Sequence, residues 1–314
     1  MADRPGENDA RSPTEHRGRV WWAAAKGVIR QIEDKRLSLI AAGVAFYGLL
    51  AIFPTLAAMI ALWGLLGDPV DVIVLFAQFQ SALPADIFKL INDQLVALAN
   101  ADGDTLGLAS LLSLGFAIWS SRAGVAAMIQ GVNVVYGERN RPGLWHYLHA
   151  VRMTVLLLAV GVVAIAALVI APIALAFVNL GPLAGLIAEF VRWSIALGVF
   201  LLGFGLIYRQ GPNRRPARMA WITPGAALAV VLSLAASAGF AIYLANFGNY
   251  NEVYGSIGAV IATLMWLYIT AFLVLIGAAL NAELERYAHP DSTVGPDRPP
   301  GARGAAVADE MRQV

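Results

Sequence analysis

Cysteine is absent from the 314-residue chain, and histidine occurs four times. The first absence removes disulfide frameworks, thiolate metal sites, cysteine nucleophiles and thiol redox switches together. Charge is scarce as well: Asp, Glu, Lys and Arg make up 14% of residues, where a soluble domain carries about 25%. A net charge of +1 excludes a strongly basic nucleic-acid binder. No GxxxxGK(S/T) phosphate loop, GxSxG elbow or HExxH pair occurs. Apolar residues, in contrast, reach 59%, with a mean hydropathy of +0.66. That exceeds the share in a soluble domain, about 45–50%, and implies a polytopic membrane protein whose apolar faces meet lipid.

A spanning helix needs roughly 20 apolar residues at about 1.5 Å each, and charges inside it are costly. Charge-poor runs predict six spans, at about 38–66, 105–130, 153–179, 187–208, 222–245 and 255–281. The expected fold class is therefore all-α: a six-helix transmembrane bundle over 37–282, with short amphipathic helices outside it. Pro54 lies within the first run and predicts a kink or tilt there.

Lys and Arg set the orientation. Of the 22 basic residues, 19 fall in the segment before Leu37, between spans two and three, between spans four and five, and after span six. The other side holds Lys89 and Arg192, and Arg122 sits inside a span. Both termini are thus expected in the cytoplasm. The polar first 36 residues show no cleavable signal peptide, so span one is expected to insert as an uncleaved anchor.

Residues 68–104 form the sizeable external segment, with a net charge of −5 and apolar faces on either side of Pro84. They read as two short helices on the bundle or the outer leaflet, either a lid or substrate-guiding surface or a solvated cap that shields the outer end. Residues 19–36 read as an interfacial amphipathic helix, with Trp21, Trp22, Ala25, Ile29 and Ile32 on its apolar face. Residues 1–18 are expected to be a disordered cytoplasmic tail, and 283–314 a mostly disordered one.

Catalytic chemistry finds little material. His146 and His149 share a helical face at i and i+3, but only Glu138 stands near them as an acid. They read as interfacial residues beside Trp145 and Tyr147. No metal or other cofactor is expected, and no catalytic residue. Intramembrane polar residues are more informative. Arg122 lies about 25 Å along its helix from Thr105, near the inner leaflet. It reads either as a cation for an anionic substrate or lipid headgroup, or as an arginine snorkelling to the interface. Asn133, three turns on, lines the same path if the helix continues. Tyr47 and Pro54 of span one, Ser121, Glu252, and Asn281 complete the polar inventory. Small residues in spans five and six, such as Ala235, Gly239, Gly255 and Gly258, allow close helix packing and admit a homo-oligomer.

Three stretches carry a family resemblance. They are Ala41-Ala42-Gly43-Val44-Ala45-Phe46-Tyr47 followed by Phe53-Pro54, then Trp119-Ser120-Ser121-Arg122-Ala123-Gly124 leading to Asn133 and Tyr136. The most specific is Asn246-Phe247-Gly248 through Tyr254-Gly255-Ser256, then Trp266-Leu267-Tyr268, Gly277 and Asn281-Ala282-Glu283. Over roughly residues 20–288 the chain resembles the YihY family, also called the virulence factor BrkB family. The resemblance implies a bacterial inner-membrane protein with six helices and both termini inside. Members often carry the label ribonuclease BN and are also discussed as transporters or as proteins acting on envelope lipids. Where similar proteins commonly read Gly-Ala-Glu, this chain has Gly277-Ala278-Ala279, which undercuts a proton-coupling role at that glutamate. Glu283 is a weak substitute.

The function expected on these grounds is transport or flipping of a lipid or small amphipathic molecule. Membrane lipids are the expected partners, an anionic headgroup at Arg122 among them. The substrate-path candidates are Arg122, Asn133, Tyr47, Pro54, Ser121, Glu252, Tyr254, Ser256, Asn281 and Glu283. The alternative is a scaffold or assembly factor without cargo. Nuclease chemistry would need a cluster of metal-binding carboxylates or histidines, and the short arginine-rich loops do not supply one.

Overall fold

Lipid cannot satisfy backbone polar groups, so apolar runs of this length fold as helices that bond internally. The computed structural model describes residues 12–13, 18–66, 77, 92–93, 96, 103–165, 182–246, 256–288 and 291–312. Among the described residues eight helices are formed in order: α1 (Gly18–Asp34), α2 (Leu37–Leu66), α3 (Gly103–Tyr136), α4 (Gly143–Ile165), α5 (Pro182–Gln210), α6 (Met219–Asn246), α7 (Ser256–Glu285) and α8 (Ala306–Asp309). Among the described residues the architecture is all-helical, with one isolated antiparallel bridge from Ala217 to Thr293.

Among the described residues four segments are long and apolar enough to cross a membrane: Gly143–Ala164, Leu183–Gln210, Met219–Tyr243 and Val260–Glu285. Counting α1 and the first part of α2 as one span, bent by 67°, makes five. The expectation of six is thus met by four to five. The difference falls in α2 and α3, where the side chains of 56–66 and 103–114 lie outside the described residues. Only 22% of each crossing window is buried. Phe116, Leu183, Phe190 and Ile242 are at least 65% exposed, which suits lipid-facing surfaces. Most of the external segment expected at 68–104 also lies outside the described residues.

Helix α7 is the hub, packing against α6, α2, α1 and α3. Small residues make this approach close. A Cβ on Gly277 would stand 2.5 Å from the Gly225 carbonyl of α6 and 3.0 Å from Ala229 Cβ. At the α2–α3 crossing, a Cβ on Gly124 would sit 3.4 Å from Gly48 Cα, an ordinary contact. Helix α3 ends at Gly137, whose φ of +69° and the bond from Glu138 N–H to Asn133 O form a left-handed stop.

Two expectations meet a different arrangement. Helix α1 docks on α7 through Ala24, Gly27, Val28 and Gln31, while Trp22 and Ile29 of its predicted apolar face stay exposed. A Cβ on Gly27 would strike the Glu283 carboxylate, so this docking needs glycine there. The tail expected to be mostly disordered is instead folded over 291–312, with Asp291, Ser292, Thr293, Arg303, Val307 and Ala308 buried. Its polar composition is matched by charges on the bundle, which composition alone does not reveal.

Gly277→Ala is predicted to destabilise the protein by about 1–3 kcal/mol, because the added methyl overpacks a backbone-to-backbone crossing. A lowered midpoint of thermal unfolding in detergent checks this; an unchanged midpoint contradicts it.

Candidate functional site

The four segments rich in Lys and Arg meet at one end of the bundle. Lys35 Nζ donates to Val135 O at 2.8 Å. Arg141 donates to the carbonyls of Gly211 and Pro212, each at 2.9 Å. Asn213 N–H donates to Asn133 Oδ1 at 2.8 Å. The Arg215 and Arg218 N–H groups donate to Gly304 O and Ser292 O, both at 2.9 Å. The joint between α1 and α2, the α3–α4 and α5–α6 loops and the tail thus form a single basic end.

Its core is ionic. Arg214 Nη1 donates to Glu285 Oε2 at 2.8 Å, with both side chains at most 1% exposed. Ser292 Oγ donates to the other oxygen at 2.6 Å. The Arg214 guanidinium lies 4.3 Å from the Tyr136 ring centroid. Burial works to lower the Arg214 pKa, and the Glu285 carboxylate overrides it, leaving Arg214 above its ordinary value. Glu283, two residues earlier and on the other side of α7, accepts from Gln31, from Arg286 and, at 2.9 Å, from Arg312. Arg286 also pairs with Glu310 at 3.0 Å. Asp291 meets Arg215 at 3.3 Å. Burial raises the Asp291 pKa, but N–H and O–H donors from Thr293 and the Arg298 N–H hold it below normal. Glu138, raised chiefly by burial, accepts the Ala306 N–H at 2.7 Å.

Among the described residues, the predicted path residues do not converge on one cavity. Asn133 is buried and engaged with Asn140 at 2.7 Å and with Asn213, joining two loops. Asn281 is buried between α7 and α6, accepting from Gly225 N–H at 2.7 Å and donating to Ile222 O at 3.0 Å. Glu283 belongs to the ionic core. Ser121 is buried, accepts from Thr55 at 3.0 Å and donates to Ala117 O at 2.7 Å. Pro54 is half-buried inside α2, and Tyr47 is exposed with its ring edge-on to Phe46. Glu252 and Tyr254 lie outside the described residues, as does the side chain of Ser256 at the start of α7.

Arg122 stands apart. Its guanidinium lies 3.8 Å from the Tyr147 ring centroid and 5.4 Å from that of Trp119. The two rings meet edge-on at 4.6 Å. Arg122 Nε and the Tyr147 hydroxyl are buried without hydrogen-bond partners among the described residues. Tyr147 is in the second turn of α4, so the cation sits about 6 Å beyond the start of that helix, near the basic end. Among the described residues no carboxylate pairs with it.

Sequence reading missed the Arg214–Glu285 pair and the partners Gln31 and Arg312. A signal was present: Glu283, Glu285 and Arg286 close a long apolar helix, where unpaired charge is costly. Tyr147 was read only as an interfacial neighbour.

The all-helical fold, its lipid-facing spans and this charged end define an integral membrane protein. The chain belongs to the virulence factor BrkB family, whose model matches residues 28–302. It is 29% identical over 253 residues to the Bacillus subtilis ribonuclease-like protein YfkH, covering 78% of this chain and 89% of that one. It is 36% identical over 102 residues to a UPF0761 membrane protein of Xanthomonas oryzae, covering 32% of this chain and 24% of the relative. A UPF0761 membrane protein of Idiomarina loihiensis is 31% identical over 101 residues, 35% of its length. No solved structure matches.

Glu285→Ala leaves Arg214 charged and buried without its counter-ion, a change expected to cost about 3–5 kcal/mol. Denaturant or thermal unfolding of the purified variant measures this, and wild-type stability would contradict the buried pair.

Proposed function

We propose that this protein is a six-span bacterial inner-membrane protein, with both termini cytoplasmic, that moves a lipid or small amphipathic molecule across the bilayer. The observation that carries the reading is Arg122: a cation at the membrane boundary, braced by two aromatic rings, with a buried N–H unspent. An arginine placed in this way offers a charged fork to a carboxylate or phosphate while its neighbours exclude water. Asn133, Asn281 and Glu283 are spent on holding helices and loops together, so the substrate contact rests on Arg122 and Tyr147. Without a nucleotide-binding motif the movement is passive or coupled to a gradient.

A second reading, a scaffold without cargo, draws support from the ion-paired basic end, which presents a fixed surface to a partner or to anionic lipid. YfkH's name raises ribonuclease activity. We do not assign it to this chain: the described residues bring together no group of three or more His, Asp or Glu able to hold a metal ion.

Reconstituted vesicles test the leading reading. Fluorescent anionic lipid should change leaflets at least tenfold faster with wild-type protein than with Arg122→Ala, both inserted to the same extent. Equal rates for the two proteins overturn the role of Arg122; no rate above protein-free vesicles for either favours the scaffold.

A further inference from the structure

The face of α4 opposite Tyr147 borders a second feature. Trp145, Leu148, His149 and Arg152 recur at spacings that place them on one side of the helix, with Tyr147 about half a turn away. They line a cavity of about 430 Å³ together with Arg141 and Asn213 from the adjoining loops. That volume lies within the range of small-molecule sites, about 300–1,000 Å³.

The walls are fixed and the charge is uncompensated. Arg141 is held by the Gly211 and Pro212 carbonyls, which orient its guanidinium without neutralising it. The Asn213 side chain donates to Arg139 O at 3.0 Å, and its N–H to Asn133, tying the two loops that form one wall. Arg152 is exposed and makes long contacts, 3.3 Å to Gln210 Oε1 and 3.4 Å to His149 Nδ1. Among the described residues, neither arginine has a carboxylate partner. Burial, and then the charge of Arg152, depress the Arg141 pKa. A concave site that brings two guanidinium groups within each other's field is relieved by an anion that both can bind. The rim is apolar, with Pro142, Trp145 at 71% exposure and Leu148 at 48%. Indole and leucine at a membrane boundary suit a ligand with its charge in the pocket and its chains in the bilayer.

We infer that this cavity binds the phosphate headgroup of an anionic phospholipid, held by Arg141 and Arg152 and covered by Trp145. The site does not depend on transport through Arg122, because it lies on the other face of α4. Its occupant is a bound lipid that anchors the α3–α4 and α5–α6 loops to the leaflet at the basic end.

Native mass spectrometry of the full chain, titrated with dioleoyl phosphatidylglycerol or dioleoyl phosphatidylcholine, tests the assignment. The expected result is one phosphatidylglycerol bound at least tenfold more tightly than phosphatidylcholine. Arg152→Gln should weaken it about tenfold with an unchanged melting temperature, Arg152→Lys should retain part of the affinity, and Trp145→Ala should also weaken it. In an Arg122→Ala background, which removes the other anionic contact, this tightly bound phosphatidylglycerol should remain and should still be lost on adding Arg152→Gln. Equal affinity for the two lipids, or binding insensitive to both Arg152→Gln and Trp145→Ala, would overturn the site. Loss in Arg122→Ala alone would overturn it by moving the headgroup to the other face of α4. Saturation of the pocket by millimolar inorganic phosphate, with no preference between lipids, would overturn the lipid as its occupant.

Discussion

Two carboxylates at the end of α7 hold the basic end together. Glu283 and Glu285 are each about 1% exposed, and neither is tolerable there without cations brought from elsewhere in the chain. Arg214 comes from the α5–α6 loop, Arg286 from the end of α7 itself, and Arg312 from the far end of the tail. At 2.8 Å and an effective dielectric constant near 20, the Arg214–Glu285 attraction is about 6 kcal/mol before desolvation is subtracted. Most of that gross attraction offsets the cost of burying two charges. The pair therefore contributes more to specificity than to net stability. It dictates which loop and which part of the tail must lie against α7, and so it shapes the surface that both loops present.

This division of labour sorts the polar residues of the bundle. Asn133, Asn281 and Ser121 have short, well-matched partners and act as locks between loops or helices. Arg122, Arg141 and Arg152 make no carboxylate contact among the described residues and point to aromatic rings, carbonyls or open space. In the proposed function these are the cations that meet lipid phosphate or an amphipathic substrate. The Arg122 site and the Arg141–Arg152 site lie on opposite faces of α4, with Tyr147 serving the first and Trp145 the second.

The all-helical class is legible in the sequence because apolar runs long enough to cross a bilayer have few folded alternatives, although the described residues give four to five spans for the six expected. The clustering of basic segments at one end is legible from where Lys and Arg fall between the apolar runs. Site residues were less so. Asn281 looks like a path residue in sequence, yet its amide is spent on Gly225 and Ile222, a pairing set by a helix crossing that no local pattern encodes. The tail was read from composition as disordered, because Pro, Gly, Asp and Arg rarely build a core alone. Here Asp291, Glu310 and Arg312 find partners in distant segments, a long-range charge match invisible to a local window. Arg122 was found because a charge inside an apolar run is conspicuous. Its aromatic clamp was not, because Tyr147 lies 25 residues further along the chain.

The ionic lock at the end of α7 organises the basic end, and amide hydrogen exchange of the detergent-solubilised full chain tests it directly. Segments 214–218, 283–288 and 291–295 should be protected in the wild type and should lose protection together in Glu285→Gln, while the amides of α4 stay slow. Exchange of 291–312 in the wild type at the rate of an unstructured peptide would contradict the lock and the arrangement of loops built on it.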